Sequence, residues 1–158
     1  MRKLIPLVLC GIAPLCVTAQ QSKLSAMVDQ ELPSLVSTYK SLHAAPELSH
    51  HEEKTSTLLA ERLRSLGYDV TDHVGKYPNP DWKGYGVVAV MKNGPGPTVL
   101  VRADMDALPV EEKTDLPYAS KVRTKDDSGA DVPVMHACGH DVHVTSLLGT
   151  AKILASLY

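Results

Sequence analysis

Residues 135–143 read Met-His-Ala-Cys-Gly-His-Asp-Val-His and bring a thiol, three imidazoles and a carboxylate into one short stretch. Thiolate sulfur and imidazole nitrogen are the ligands preferred by zinc and similar divalent metals. A tight turn at Gly139, followed by a helix, would let Cys138 and His140 reach one ion. The neighbouring imidazoles and carboxylate could orient these ligands through hydrogen bonds. The stretch therefore predicts a metal-binding turn.

Length and composition are those of a globular domain without a nucleic-acid partner. The chain has 158 residues, of which 44% are hydrophobic, so one domain with a real core is possible. A formal net charge of −2 argues against nucleic-acid binding, which would leave a basic face. No continuous apolar run reaches the roughly 18 residues of a membrane span.

Residues 1–19 have the pattern of a secretory signal peptide. A basic start at Met1–Lys3 precedes the apolar run Leu4–Val17, and small residues follow up to Ala19. We predict cleavage after Ala19, a mature domain over residues 20–158, and a secreted or periplasmic location. The alternative is an N-terminal anchor or a buried helix.

Cleavage would leave the mature chain with a single cysteine, Cys138, because Cys10 and Cys16 belong to the predicted signal. Exported proteins usually pair their cysteines, so a lone thiol needs an explanation. Cys138 could be a buried small residue, a reactive nucleophile or the site of an intermolecular disulfide. The flanking His136 and His140 favour a metal ligand.

The rest of the chain predicts an α/β fold. Helices are expected over residues 25–43, 49–66 and 145–158, and strands over 68–72, 86–92 and 98–102. Ser49 and Glu52 have the spacing of a capping box, and Gly67 is a helix stop. Residues 86–92 and 98–102 predict a hairpin buried on both faces. Residues 76–83 form a loop, and the polar segment 111–134 is a long loop with room for a short hairpin.

Two carboxylates, Asp104 and Asp106, follow the last predicted strand. Their spacing of two places both on one side of an extended segment, as needed for carboxylates that converge on a site. Sites of α/β proteins lie beyond strand ends, although a solvated strand end is the default explanation for the pair taken alone.

Several other side chains are interpreted as solvated or as structural rather than functional. His50 and His51 are expected to be solvated, and Trp82 is expected to pack its own loop. We expect His43 to pack locally around Pro46.

Three blocks together give the chain a resemblance to a known family. They are Leu42–Leu48 with Glu53 and Thr55 following, Arg102–Pro109, and Met135–Asp141. In order and spacing the chain resembles the N-terminal part of an M20-type metallopeptidase. The similar branch is that of the amidohydrolases, which includes auxin-conjugate hydrolases, hippurate hydrolases and N-acyl-amino-acid amidohydrolases.

The resemblance implies a hydrolase of amide bonds in N-acyl amino acids or related small conjugates, with two divalent metal ions. Zinc, manganese, cobalt and nickel all suit the ligands, and the full-length enzyme could be a homodimer. The resemblance makes Cys138 and His140 metal ligands and Asp106 the catalytic-site carboxylate that orients a ligand. Candidates for supporting these residues are Asp104, His136, Asp141 and His143.

The resemblance also implies parts that the sequence does not contain. The family places a Glu-Glu pair, its general base and a ligand, after the Cys/His turn, whereas Glu111 and Glu112 precede it. The lid or dimerisation domain is likewise absent. We therefore expect an incomplete zinc-peptidase-like catalytic domain, a mixed sheet flanked by helices, inactive as this fragment. The alternative is a secreted, non-catalytic metal-binding or thiol-bearing module.

Overall fold

Two helices, four short strands and a third helix follow one another along residues 13–157, the part of the chain that the computed structural model describes. In chain order the elements are α1 (Ala13–Ala44), α2 (Glu53–Ser65), β1 (Asp69–Val74), β2 (Gly86–Val90), β3 (Arg123–Lys125), β4 (Asp131–Pro133) and α3 (His140–Leu157). The predicted α/β class is confirmed.

The three helices pack together around the main apolar core. Its buried members come from all three helices: Leu42, Leu59, Leu63, Val144, Leu148 and Ala151. Gly149 of α3 lets α1 approach closely, because an added Cβ would lie 2.8 Å from a methyl carbon of Leu35. An ion pair between Lys152 and Glu31 joins the same two helices at the surface. A smaller core lies beneath β3 and β4 and contains Leu48, Ala107 and Val134.

Helix α1 confirms the predicted helix 25–43 and is longer, with Pro33 inside it. It runs through the predicted cleavage point after Ala19, whereas residues 1–12 of the predicted signal lie outside the described residues. Signal cleavage therefore stays a prediction. Within residues 13–157, no helix has both the length and the apolar character needed to cross a membrane.

Helix α2 is capped differently from the prediction. Its N-cap is Glu52, whose side chain makes no capping hydrogen bond, and Ser49 does not cap the helix, so the predicted capping box is wrong. The Glu47 carboxylate accepts the backbone N–H groups of Lys54 and Thr55 at 3.1 and 2.8 Å. Glu47 can reach these donors because the chain turns sharply before the helix begins.

Gly67, whose φ is +87°, terminates α2 as predicted. The Gly67 N–H donates to the Arg64 carbonyl at 2.9 Å, and the Tyr68 N–H donates to the Leu63 carbonyl at 3.2 Å. This pair of bonds is a Schellman motif, which satisfies the last carbonyls and turns the chain into β1.

The strands form two antiparallel pairs, β1 with β2 and β3 with β4. The short hairpin β3–β4 within residues 111–134 confirms one expectation. The predicted hairpin of residues 86–92 with 98–102 is wrong, because β2 pairs with β1 and residues 98–102 form no strand. Burial on both faces is wrong too, since Val99 and Leu100 are 81% and 86% exposed. Their apolar pattern shows a tendency toward burial, but residues 13–157 supply no element that covers them.

The three sequence blocks of the resemblance meet through short backbone pairings. Leu48 forms a parallel bridge with Ala107, and Leu108 forms an antiparallel bridge with Met135. The Ala107 N–H donates to the Glu47 carbonyl at 2.7 Å, and Leu108 and Met135 exchange two bonds of 3.0 Å. The middle block therefore lies between the other two, which brings residues distant in sequence to one place.

An aromatic cluster fixes the predicted loop 76–83. Trp82 stacks on His50 with ring centroids 4.0 Å apart and an interplanar angle of 10°, and Tyr77 meets both rings edge-on. Trp82 thus packs its loop, as predicted. The prediction that His50 is solvated is wrong, since only 18% of its side chain is exposed, whereas the neighbouring His51 is exposed.

Candidate functional site

The Cys/His stretch folds into a tight turn that leads directly into α3. Gly139 has a φ of +74°, a left-handed conformation that favours glycine, and its N–H donates to the His136 carbonyl at 3.1 Å. Helix α3 begins at His140, five residues before the predicted start. Asp141 and His143 therefore lie in its first turn, beside His140.

The side chain of His140 is held by Asp106. Its Nδ1 atom lies 2.9 Å from the Asp106 carbonyl oxygen and 3.0 Å from the Asp106 Oδ1 atom. Because both partners are acceptors, Nδ1 carries the proton, and in the neutral ring the Nε2 lone pair is free. A carboxylate that fixes the tautomer of a histidine in this way is typical of metal-binding sites. The structure thus brings together two predicted site residues from different blocks.

Cys138 and His143 flank His140 at the surface. The Cys138 thiol is exposed and forms no disulfide. The His143 ring is also exposed, and its centroid lies 5.7 Å from that of His140. The exposed thiol and the free Nε2 atom are thus both presented at the start of α3.

Asp104 lies apart from these contacts. Its carboxylate is exposed and pairs with the Arg102 guanidinium, two residues earlier in the chain. Asp106 contacts His140, whereas Asp104 makes a surface ion pair. The same-side argument from spacing does not bring the two carboxylates to one partner.

His136 is buried beneath the turn. Only 5% of the residue is exposed, and neither ring nitrogen has a hydrogen-bond partner among the described residues. Burial lowers the pKa of the His136 imidazole, and the charge of the nearby Asp141 only partly opposes this effect. The ring is therefore held in its neutral form.

Asp141 faces inward and belongs to a buried group of three side chains. The His43 Nδ1 atom lies 2.7 Å from Asp141 Oδ2, and the His43 Nε2 atom lies 3.0 Å from Glu112 Oε1. The exposed fractions of the three side chains are 7% for His43, 2% for Asp141 and 0% for Glu112. The expectation that His43 packs only locally is therefore wrong.

The two carboxylates set the charge of His43. Burial alone would lower the pKa of the imidazole, but the hydrogen bonds and charges of Glu112 and Asp141 more than offset it and raise the pKa. Burial likewise acts to raise the pKa of Glu112, and its bonds from Thr114, His43 and Ser120 together lower it. The contact thus favours the protonated form of His43 and the ionised form of Glu112.

Sequence reasoning missed His43 and Glu112 as members of this group. Glu112 lies 69 residues from His43, and Asp141 lies 98 residues from it, so no local spacing links them. The available signal was that His43 and Asp141 both belong to the family-like blocks. Together they could have suggested a contact between the blocks.

The donor chemistry of the turn suits a divalent metal ion, but the described residues provide only part of a site. Cys138 sulfur and His140 Nε2 are soft and borderline donors, as zinc, cobalt or nickel would require. Within residues 13–157, no three His, Cys, Asp or Glu side chains come together closely enough to hold an ion.

Comparison with known proteins identifies the family. Residues 100–158 match the sequence model of peptidase family M20/M25/M40. The YXEP protein of Bacillus subtilis, a dinuclear metal-binding peptidase of the M20 family by its description, is 34% identical. The match covers 84% of this chain and 32% of that one, with a TM-score of 0.63. This chain is similar in sequence and in structure to part of an M20 peptidase. The resemblance seen in the three blocks is thereby confirmed.

Two of the other proteins that this chain matches are enzymes by name. Thermostable carboxypeptidase 1 of Saccharolobus solfataricus is 47% identical over 76% of this chain and 27% of that protein. The hippurate hydrolase of Campylobacter jejuni is 46% identical over 73% of this chain and 26% of that protein. The chain thus spans less than a third of the length of the relatives it matches.

Proposed function

We propose that this chain forms part of a metal-dependent hydrolase of amide bonds in N-acyl amino acids or related small conjugates. The observation that carries the proposal is the contact of His140 Nδ1 with Asp106, which leaves Nε2 as the metal-binding nitrogen, two residues after the exposed thiol of Cys138. The relatives named for hippurate hydrolysis and carboxypeptidase activity agree with this chemistry. The substrate in this proposal is a small molecule.

The residues of the turn have separate roles in the proposal. Cys138 sulfur and His140 Nε2 would hold a divalent ion, and Asp106 keeps the proton on Nδ1 so that Nε2 stays a ligand. When bound, a pair of such ions supplies Lewis acidity toward the amide carbonyl and toward water. His136 stays neutral and buried beneath the turn, and it adds no charge of its own to the site.

In this proposal the 158 residues carry only part of the catalytic groups of the enzyme. A general base must take a proton from water and deliver it to the leaving amine. The chain spans less than a third of its relatives, and we assign the base and the remaining ligands to the rest of the enzyme. The 158-residue chain alone should bind metal weakly and should not turn over. A homodimer of the whole enzyme is part of the same proposal.

Titration with Co²⁺ tests the metal site. Thiolate coordination to Co²⁺ gives a charge-transfer absorption in the near ultraviolet, which should appear for the wild-type chain and vanish for Cys138→Ala. His140→Ala should weaken binding, whereas His73→Ala, at an exposed histidine beside Asp72, is the matched control and should leave the titration unchanged. Wild-type protein without this absorption would contradict the metal site.

Hydrolysis assays test whether the 158 residues alone form a complete active site. The purified 158-residue chain should release no product from hippurate or N-acetyl amino acids, with or without added Zn²⁺, Mn²⁺ or Co²⁺. Robust hydrolysis that a chelator abolishes would show that these residues suffice and would overturn the incomplete-site part of the proposal.

A secreted metal-binding or thiol-bearing module without catalysis is the second candidate. It is favoured by the exposed Cys138 and by the lack of three converging donors within residues 13–157. The gene sequence beyond codon 158 discriminates between the two. A Glu-Glu pair with later histidines supports the enzyme, and an immediate stop codon supports the module.

We propose export for either candidate, on the strength of the signal-like sequence of residues 1–19. Expression in a bacterial host followed by mass spectrometry of the periplasmic or secreted protein tests this location. A mature N-terminus at Gln20 is the expected result. An intact N-terminus, with the protein retained in the cytoplasm, would refute export.

A further inference from the structure

The buried group of Asp141, His43 and Glu112, which we call the acid–histidine triad, joins three distant parts of the chain. His43 lies in the last turn of α1, Glu112 lies in the connection that follows the second block, and Asp141 lies in the first turn of α3. None of the three is among the metal-binding candidates. Asp141 is nevertheless the residue directly after His140.

Each carboxylate of the triad has donors other than His43. Asp141 Oδ1 accepts the Val142 N–H at 2.9 Å. Glu112 accepts the Thr114 hydroxyl at Oε1 and the Ser120 N–H at Oε2, the latter at 2.5 Å. The remaining oxygen positions of the two side chains face opposite nitrogens of the His43 ring, at 2.7 and 3.0 Å. A His43 ring with a proton on each nitrogen donates to both side chains at once.

The two ring nitrogens of His43 hold the side chains of Asp141 and Glu112 in place. A neutral imidazole has one N–H and would lose the bond to one of the two acids, leaving that buried carboxylate short of a partner. The rings of Tyr39 and Tyr118 also pack against His43, each with its centroid 5.5 Å from that of the imidazole. The α3 end of the triad cannot shift without breaking this arrangement.

We propose that His43 and Glu112 are positioning residues that hold Asp141, and with it the first turn of α3, where His140 meets Asp106. They act through Asp141 and touch neither substrate nor metal. On this view the first turn of α3 has two anchors: Asp106 binds the His140 ring from one side, and the triad binds the next residue from the interior. Breaking the triad should free the turn while the helix beyond it stays packed.

Hydrogen exchange of the full 158-residue chain tests this inference without any metal. In Glu112→Gln and His43→Gln, the amides of Val142 and His143 should exchange at least tenfold faster than in the wild type. Amides near Ala151, deeper in α3, should change much less. His51→Gln is the matched control, because His51 pairs with Asp127 at 3.1 Å on the surface. Equal acceleration throughout α3, or none at its first turn, would overturn the inference.

Two further measurements keep the inference testable if a variant fails to fold. Nitrogen-15 NMR of the wild-type chain at pH 7 should show both His43 ring nitrogens protonated, and a singly protonated ring would refute the imidazolium. Glu112→Gln keeps the shape of the side chain and is the milder perturbation. The double variant with His43→Gln should exchange no faster than His43→Gln alone, because both changes break one linkage.

The functional side of the inference rests on the proposed metal site. Glu112→Gln should raise the apparent Kd for Co²⁺ at least tenfold, and His51→Gln should leave it unchanged. If the wild-type chain binds no Co²⁺, the proposed function fails, and the exchange data still decide the positioning role. If Co²⁺ binds equally well to wild type and Glu112→Gln, positioning of the metal ligand is refuted although the metal site stands.

Discussion

The capping of α2 by Glu47 gives the sharpest test of the fold. Sequence spacing favours Ser49 as the cap, whereas the structure assigns this role to Glu47. Its carboxylate accepts the backbone N–H groups of Lys54 and Thr55 and also the Thr55 hydroxyl at 2.8 Å. Removing Glu47 should therefore destabilise the protein, and removing Ser49 should not.

The magnitude follows from the bonds that each change removes. Loss of a helix cap costs about 1 kcal/mol, and loss of a negative charge at a helix N-terminus costs a further 0.3–1 kcal/mol or so. The Thr55 hydroxyl is buried, and stranding a buried polar group costs about 1–3 kcal/mol. Glu47→Ala should lower the free energy of unfolding by about 2–5 kcal/mol, and Ser49→Ala should change it by less than about 0.5 kcal/mol.

Urea denaturation followed by circular dichroism at 222 nm measures both effects on the 158-residue chain. Glu47→Gln is an intermediate case, because it keeps an acceptor oxygen and loses the charge; we expect about 1 kcal/mol. If Ser49→Ala is as destabilising as Glu47→Ala, the capping box forms in solution and our description of this helix start is wrong.

Three further predictions follow from other contacts. The raised pKa of His43 gives stability that is complete below its ordinary value of 6.5 and is lost as pH rises through the folded pKa. The lowered pKa of Glu112 gives stability that is complete above 4.5 and is lost as pH falls through the folded pKa. The urea midpoint should therefore be highest between pH 4.5 and 6.5 and should decrease at lower and at higher pH. The decrease at higher pH should be smaller in His43→Gln. Gly84→Ala should cost about 1–3 kcal/mol in the same assay, because the added Cβ would clash with the Gly75 carbonyl oxygen; an unchanged midpoint would refute this close approach. Leu100→Thr should change the unfolding free energy by less than about 0.5 kcal/mol because the side chain is exposed; a loss of 2 kcal/mol or so would show that this segment is buried, as the sequence suggests.

Local sequence signals predicted local structure well. Apolar periodicity located the three helices, and Gly67 marked the end of α2 through its left-handed conformation. The long polar segment contained the short hairpin β3–β4. Each of these features depends on residues close to one another in the chain, and a sequence displays such relationships directly.

Partners across long distances could not be predicted in the same way. Residues 98–102 looked like a strand beside β2, yet β2 pairs with β1, which precedes it. The contact between Asp106 and the Cys/His turn was anticipated only because the family resemblance implied it. Without such information, the contacts of His43 with Asp141 and Glu112 had no sequence signal, since pairing of charges appears only after the chain has folded.

The stacking of Trp82 on His50 gives the molecule an internal optical probe. Trp82 is the only tryptophan of the chain, so all indole emission comes from the loop 76–83. Indole emission depends on what contacts the ring, and the ring centroids of this pair are 4.0 Å apart. Emission should therefore report detachment of this loop from the start of α2, a local opening that can precede global unfolding. A fluorescence transition that occurs at lower urea than the loss of helix would be the signature of that local event.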